Sequence, residues 1–409
     1  MGERYLHAPV ADHLKKLRQM VFLTGPRQVG KTTLAKSLLP KTLPGVNYFN
    51  WDVAEHRKTL LTRIFSGKEN LREGNRKIVV FDEIHKYPRW KNALKGLFDQ
   101  YEPEDAHWIV TGSALLNVYR RGQDSLLGRH FTYHLAPFSV AELAGVAGTN
   151  VPTLDALLNI EFSRAGRENY KAFESLLKFG GFPEPLFKGE ESFLLRWRST
   201  RLDRLINQDL AATESLKNLP LVENLMFLLP ERVGSPLSLN GLREDLEVHF
   251  ATVKHWMELL ERVFYGFFIR PYSKKTGRLL KKEPKWYLWD WTEIENPGSR
   301  FENLVAMHLQ KYVNYLNQLG RGALSLYYVR DKEKQEVDFL LCDGRKPRLL
   351  IECKVARAEA SKALFHFAGL LGVKDVIQIS QEGCDARFYD KDGVRVRVLD
   401  AASFLKELV

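Results

Sequence analysis

Two groups of residues in this 409-residue sequence have the types and spacing for chemistry on phosphates. The first is Gly25-Pro26-Arg27-Gln28-Val29-Gly30-Lys31-Thr32-Thr33, which reads G-x-x-x-x-G-K-T. In that pattern the glycines let backbone N–H groups close on phosphate oxygens. The lysine adds a charge at the terminal phosphates, and the first threonine hydroxyl is placed to ligate Mg²⁺. All nine residues are expected to hold ATP, with Lys31 also catalytic. Downstream, the apolar run 78–81 ends in Asp82-Glu83. Asp82 is expected in the Mg²⁺ shell and Glu83 as the base that polarises the attacking water. A further apolar run ends in Thr111-Gly-Ser113. Ser113 is preferred over Thr111 as the hydroxyl near the γ-phosphate, and it also suits a helix N-cap. Arg129, with Arg121 second, is the candidate arginine finger for a neighbouring subunit's nucleotide.

The second group is Glu302, Asp338 and Glu352-x-Lys354. Strand alternation puts Glu352 and Lys354 on one face. Asp338 and Glu352 on adjacent strands, with Glu302 from a preceding helix, are expected to hold Mg²⁺ or Mn²⁺, since hard oxygen donors favour those ions. Lys354 would steady phosphate charge or the attacking water.

The elements that must position these groups follow from pattern. Run 20–23, the phosphate loop and a helix from Thr33 give strand, loop, helix, with phosphate at the helix N-terminus. Strands follow at 45–52, at the acidic run, at 108–113 and at 131–135, the buried strands of a parallel sheet. Residues 150–215 read as helical, with a sharp break at Gly180-Gly-Phe-Pro183. Arg196, Arg198, Arg201 and Arg204 there read as a solvated face rather than a phosphate stripe. Residues 221–291 read as a winged helix of three helices, the second capped by Ser238, and a hairpin. Lys254 and His255 on the third helix, and Lys274, Lys275, Arg278, Lys281 and Lys282 at the hairpin tip, are candidates for sequence-blind contact with DNA phosphates. From Ser299 the order is α-β-β-β-α-β. His308 reads as a core residue rather than a ligand.

The net charge is +11 and the pI about 9.3, which suits a polyanionic partner. Three cysteines with no C-x-x-C pair indicate neither a disulfide framework nor a zinc site. No apolar stretch reaches the ~20 residues of a membrane span. A cytoplasmic protein without membrane association is expected.

The stretches Gly25–Thr33, Val79–His85, Thr111–Ser113 and Gly128–Arg129, followed by Ala-Pro-Phe-Ser-Val-Ala-Glu at 136–142, resemble AAA-type P-loop ATPases of the archaeal and bacterial MNS-like group. The resemblance implies a parallel αβα sheet with a small helical lid. The D…E-x-K unit resembles the restriction-endonuclease-like fold, and the uncharacterised C-terminal domain that commonly follows this type of ATPase. The expected organisation is an α/β chain: ATPase core 1–145, helical lid or linker 146–215, winged helix 216–297 and nuclease-like domain 298–409. The expected function is Mg²⁺-dependent ATP hydrolysis acting on DNA, structured or branched DNA included, by a homo-oligomer whose C-terminal domain binds DNA and has residues to cut it. The alternative is a nucleotide-switched scaffold that docks protein and carries an inert nuclease fold.

Overall fold

Five apolar runs form one parallel sheet in a computed structural model that describes residues 3–39, 47–67, 77–103, 105–112, 126–145, 151–211, 218–273 and 283–409. The chain divides into two units, Glu3–Ala136 and Pro137–Val409. In the first, the strands are β1 (Met20–Thr24), β2 (Tyr48–Asn50), β3 (Lys77–Asp82), β4 (Ala106–Thr111) and β5 (His130–His134), with α1 (His7–Lys16), α2 (Lys31–Ser37), α3 (Ala54–Thr59) and α4 (Trp90–Gln100) around them. The order is β2-β3-β4-β1-β5, with every neighbouring pair parallel. β1 and β4 are buried along their whole length, as strands covered on both faces must be. Phe22, Phe81, Trp90, Leu94 and Trp108 fill one face of the core. Parallel strands present their carboxyl ends at one edge. Because β4 lies between β3 and β1, Thr111 sits in register with both Asp82 and Leu23.

The second unit begins with α5 (Val140–Leu143), α6 (Leu154–Leu158), α7 (Arg167–Phe179), α8 (Pro183–Lys188) and α9 (Glu191–Arg204). Gly180 makes the expected break: its φ is +76°, and a Cβ there would stand 2.9 Å from the Thr292 methyl. α10 (Leu219–Leu228), α11 (Leu239–Asp245), α12 (Phe250–Arg262) and the hairpin of β6 (Gly266–Pro271) and β7 (Lys285–Leu288) give the three-helix-and-hairpin order. Ser238 caps α11 by accepting from the Gly241 N–H. The hairpin-tip candidates Lys274, Lys275, Arg278, Lys281 and Lys282 lie outside the described residues.

Next come α13 (Pro297–Gln318), β8 (Leu324–Arg330), β9 (Glu336–Asp343), β10 (Lys346–Lys354), α14 (Lys362–Leu371) and β11 (Asp375–Ser380), which is the α-β-β-β-α-β order. β12 (Arg387–Lys391), β13 (Val394–Asp400) and α15 (Ala401–Leu405) follow. All eight strands from β6 onward form one mixed sheet, ordered β12-β13-β11-β10-β9-β8-β6-β7. β6 runs parallel to β8, with Arg270 opposite Tyr327 and Pro271 opposite Tyr328. Asn303 of α13 accepts from the Leu288 N–H and donates to its carbonyl, both at 2.7 Å. The hairpin therefore belongs to the C-terminal sheet, and ladder bonds join residues on either side of position 297.

One sequence expectation is overturned here. Arg201 is not solvated: it is buried, with its guanidinium 3.1 Å from Glu293, 3.7 Å from Asp290 and 4.5 Å over the Phe182 ring. Arg198 donates to the Thr292 carbonyl at 2.8 Å. The 290–293 turn carries two buried carboxylates, and buried charge persists only when paired. His308 is a core residue as read. The Val140 N–H donates to its Nε2, its Nδ1–H donates to the Leu304 carbonyl, and burial pushes its pKa down to about 3.

Candidate functional site

The loop at 25–30 needs its glycines. Gly25 has φ +141°, and a Cβ there would come within 2.2 Å of the Leu135 carbonyl oxygen. Gly30 has φ +99° and starts α2. Gln28 also takes a positive φ, of 61°. Loop and sheet are tied by a residue that the sequence did not single out: Arg4 donates to the Val29 carbonyl at 2.7 Å and to the Ala136 carbonyl at 2.5 Å. The Lys31 ammonium donates to the Gly25 and Pro26 carbonyls at 3.0 and 2.7 Å, which holds the cation inside the turn. Pro26, Arg27, Val29 and Thr33 occupy the loop and the first turn of α2 as expected.

Asp82 ends β3 as the hub of a hydroxyl network. Thr32 Oγ1 donates to its Oδ2 at 2.9 Å, Tyr48 O–H donates to the same oxygen at 2.6 Å, and Thr111 O–H donates to Oδ1. Burial, then the bond to Asp82, pushes the Tyr48 phenol up, so it stays a donor. Ser113 lies outside the described residues, as does Arg121. The hydroxyl that meets Asp82 from β4 is Thr111, the second choice of the sequence reading. Tyr48 was read only as a strand residue. Its alternation with Asn50 on a strand beside the acidic run was the available signal.

Glu83 leaves the strand with φ +55°, an uncommon conformation for a residue with a side chain. Its N–H donates to the Thr111 carbonyl at 3.1 Å. Its Oε2 is buried and accepts no hydrogen bond, with His85 Nε2 at 3.6 Å and Lys86 Nζ at 3.8 Å. Burial raises the carboxyl, while Lys31, Lys86 and Arg27 pull it back. Burial, reinforced by Lys86, lowers His85 to about 4, so that ring is neutral at pH 7. A carboxylate with a raised pKa and an unsatisfied oxygen has the character of a base. The Thr32 hydroxyl and the Asp82 carboxylate are hard oxygen donors 2.9 Å apart, a donor set that fits Mg²⁺.

Thr111→Val removes one donor from a buried carboxylate and leaves the strand isosteric. Hydrolysis is expected to fall roughly 10- to 100-fold, the scale of one hydrogen bond to a charged group. Steady-state phosphate release by the variant checks this.

Arg129 precedes β5 at the amino-end edge of the sheet, where its carbonyl accepts from the Met20 N–H. Its guanidinium makes a two-point contact with Asp99, at 2.9 and 3.3 Å. It stands at the edge opposite the phosphate loop.

The second group takes a different form from the one expected. Glu302 and Asp338 come together around an unforeseen cation, and Glu352 and Lys354 pair with each other beside Asp338. Lys285 of β7 is fully buried, with Nζ 2.5 Å from Glu336, 3.1 Å from Glu302 and 3.6 Å from Asp338. Burial alone would lower its pKa, but the acids outweigh it and raise it. Tyr287 O–H donates to Glu302 at 2.6 Å. Asp338 Oδ2 accepts from the Cys353 N–H at 2.8 Å. Lys354 pairs with Glu352 at 2.7 Å, whose second oxygen is buried without a hydrogen bond. Burial and then Asp338 push Glu302 up to about 8 and Glu352 up to about 7. Among the described residues no group of three or more His, Cys, Asp or Glu is arranged to hold a metal ion. At the position expected to hold a metal between Glu302 and Asp338, the Lys285 ammonium stands within ion-pair reach of both acids. Lys285 was legible as a lone cation opening the apolar strand 285–288, alternating with Tyr287 onto one face.

Of the DNA-contact candidates described, Lys254 is exposed and His255 half-buried on α12. Acids share this region: Glu244, Asp245 and Glu247 are exposed, and Glu258 stands 3.9 Å from Arg262. No described helix is long and apolar enough to cross a membrane.

Comparison with known proteins agrees with the first unit. Residues 17–144 match the AAA domain family, residues 170–292 a domain of unknown function (DUF8612), and residues 297–397 another (DUF4143). The uncharacterized protein MJ1544 of Methanocaldococcus jannaschii is 23% identical over 346 residues, covering 82% of this chain and 74% of that one. Its uncharacterized protein MJ1637 is 24% identical over 395 residues, covering 88% and 80%. Among solved structures, the ORC1 protein of Aeropyrum pernix in complex with DNA has 15% identity and a TM-score of 0.30 over 75% of this chain and 93% of that one. AMPPCP-bound DnaA from Aquifex aeolicus has 15% identity and a TM-score of 0.30 over 64% and 89%. Likenesses at this score carry no argument about what the chain does. Residues 17–144 thus match an AAA domain on a P-loop fold, and they are followed by regions that match two domain families of unknown function.

Proposed function

We propose that this chain is a Mg²⁺-dependent ATP hydrolase whose cycle acts on DNA. The observation that carries the reading is the Asp82 carboxylate, which accepts from Thr32, Tyr48 and Thr111 one residue before the buried base candidate Glu83. In this reading the backbone of 25–33 binds the phosphates and Lys31 meets the terminal ones. Thr32 and Asp82 would hold Mg²⁺, which when bound would supply positive charge against the phosphates. Glu83 takes the proton of the attacking water, and Thr111 fixes Asp82. Arg129 serves the nucleotide of a neighbouring copy, exchanging Asp99 for phosphate, so turnover requires a homo-oligomer.

DNA as the partner is supported by the net charge of +11, by the three-helix-and-hairpin order, and by the basic run at 274–282. ATP hydrolysis measured against single-stranded, duplex and four-way DNA at low and high salt tests this. Stimulation that fades with salt is expected. A rate indifferent to every DNA form would remove DNA from the account while leaving hydrolysis standing.

A second reading, a nucleotide-switched scaffold that docks protein, is favoured by one surface. A cavity of about 970 Å³ beside α9 and α10 is lined by Leu202, Met226 and Phe227, by the acids Glu223, Glu231 and Glu295, and by Arg198. Phe227 is 75% exposed. The excess of acids over that one cation repels phosphate and suits a basic, amphipathic polypeptide.

A further inference from the structure

We infer that the Lys285 side chain is the permanent counter-cation of the Glu302–Glu336–Asp338 cluster, so that the C-terminal sheet binds no divalent ion there and does not cut DNA. The position of the ammonium decides this. From β7 it lies within ion-pair reach of three acids on two other elements: Glu302 of α13, and Glu336 and Asp338 of β9. A divalent ion held jointly by Glu302 and Asp338 would compete with Nζ, which stands 3.1 and 3.6 Å from them, and like charges at such separations repel strongly.

Nor is the lysine free to leave. Its side chain is wholly buried, its backbone pairs with Ile269 in the hairpin and bridges to Pro236, and its ammonium lies 5.5 Å over the Tyr328 ring. Other donors also occupy Glu302 and Asp338. Tyr287 donates to Glu302 and the Cys353 N–H donates to Asp338. Lys354, which would act on phosphate in a cutting site, is held by Glu352. The cluster is thus a clasp that fastens hairpin, long helix and central strand. Its chemistry is structural, and any polyanion the unit takes is bound without cleavage.

The test uses the full chain without nucleotide and reads Mn²⁺ bound per chain by electron paramagnetic resonance. Wild type and Asp338→Asn are expected to bind the same amount. Lys285→Ala removes the cation and is expected to gain about one Mn²⁺ per chain on the exposed oxygen donors, a gain lost again in Lys285→Ala with Asp338→Asn. Wild type losing one Mn²⁺ on Asp338→Asn overturns the inference. So does a folded Lys285→Ala that gains none, and so does Mn²⁺-dependent DNA cleavage by wild type that Asp338→Asn abolishes. If Lys285→Ala does not fold, the wild-type and Asp338→Asn pair decides alone.

Discussion

Glu83→Gln is expected to lower ATP hydrolysis about 10²- to 10⁴-fold while leaving nucleotide affinity near that of wild type. Gln keeps the volume of the side chain and removes its capacity to accept a proton. The loss should therefore appear in single-turnover phosphate release and not in equilibrium binding of a non-hydrolysable ATP analogue. The pH profile separates this role from a structural one. Burial holds the Glu83 carboxyl above its ordinary 4.5, so the base is charged only above that raised value. Wild-type activity should fall on acidification at a pH above 4.5, and the residual activity of Glu83→Gln should lack that limb. Unchanged turnover in the variant would reassign the base.

Arg201→Met is expected to destabilise the Pro137–Val409 unit by about 3–5 kcal/mol, the scale of leaving buried charge without its partner. Arg201, Asp290 and Glu293 are all nearly inaccessible. Tyr265 O–H also donates to Glu293 at 2.8 Å. Burial, then Asp290, raises the Glu293 carboxyl to about 7, and Arg201 opposes them. A carboxyl raised in the folded state contributes stability that is fully present below its unfolded pKa and is lost as pH rises through the folded one. Without Arg201 the folded pKa moves higher still, so the variant's deficit should be smaller near pH 5, where Glu293 holds its proton, than near pH 8. Urea denaturation at the two pH values measures this, and Arg201→Met with Glu293→Gln should recover much of the loss at pH 8. A deficit equal at both pH values contradicts the account.

What the sequence made legible depended on whether the chemistry was local. Gly25–Thr33 and Asp82-Glu83 are contiguous motifs, and their strands announce themselves as apolar runs, so loop, acids and sheet could all be anticipated. Thr111 and Tyr48 become partners of Asp82 only through the strand order β2-β3-β4-β1, a long-range fact that no window of sequence contains. The acids at 302, 338 and 352 were found by type and spacing, and they do converge. The charge state of Glu302 and Asp338 was not legible, because the lysine that pairs with them comes from a hairpin assigned to another domain. Arg201 fails for the same reason. Helical spacing placed it beside other arginines, while the buried acids that claim it lie at 290 and 293.

Phosphate release from ATP by the full chain over a Mg²⁺ titration tests the central claim most directly. Turnover is expected to appear with Mg²⁺, disappear with chelator, rise with protein concentration as copies assemble, and fall about 10²- to 10⁴-fold in Glu83→Gln. Mg²⁺-ATP that binds at Gly25–Thr33 but yields no phosphate at any protein concentration would contradict it.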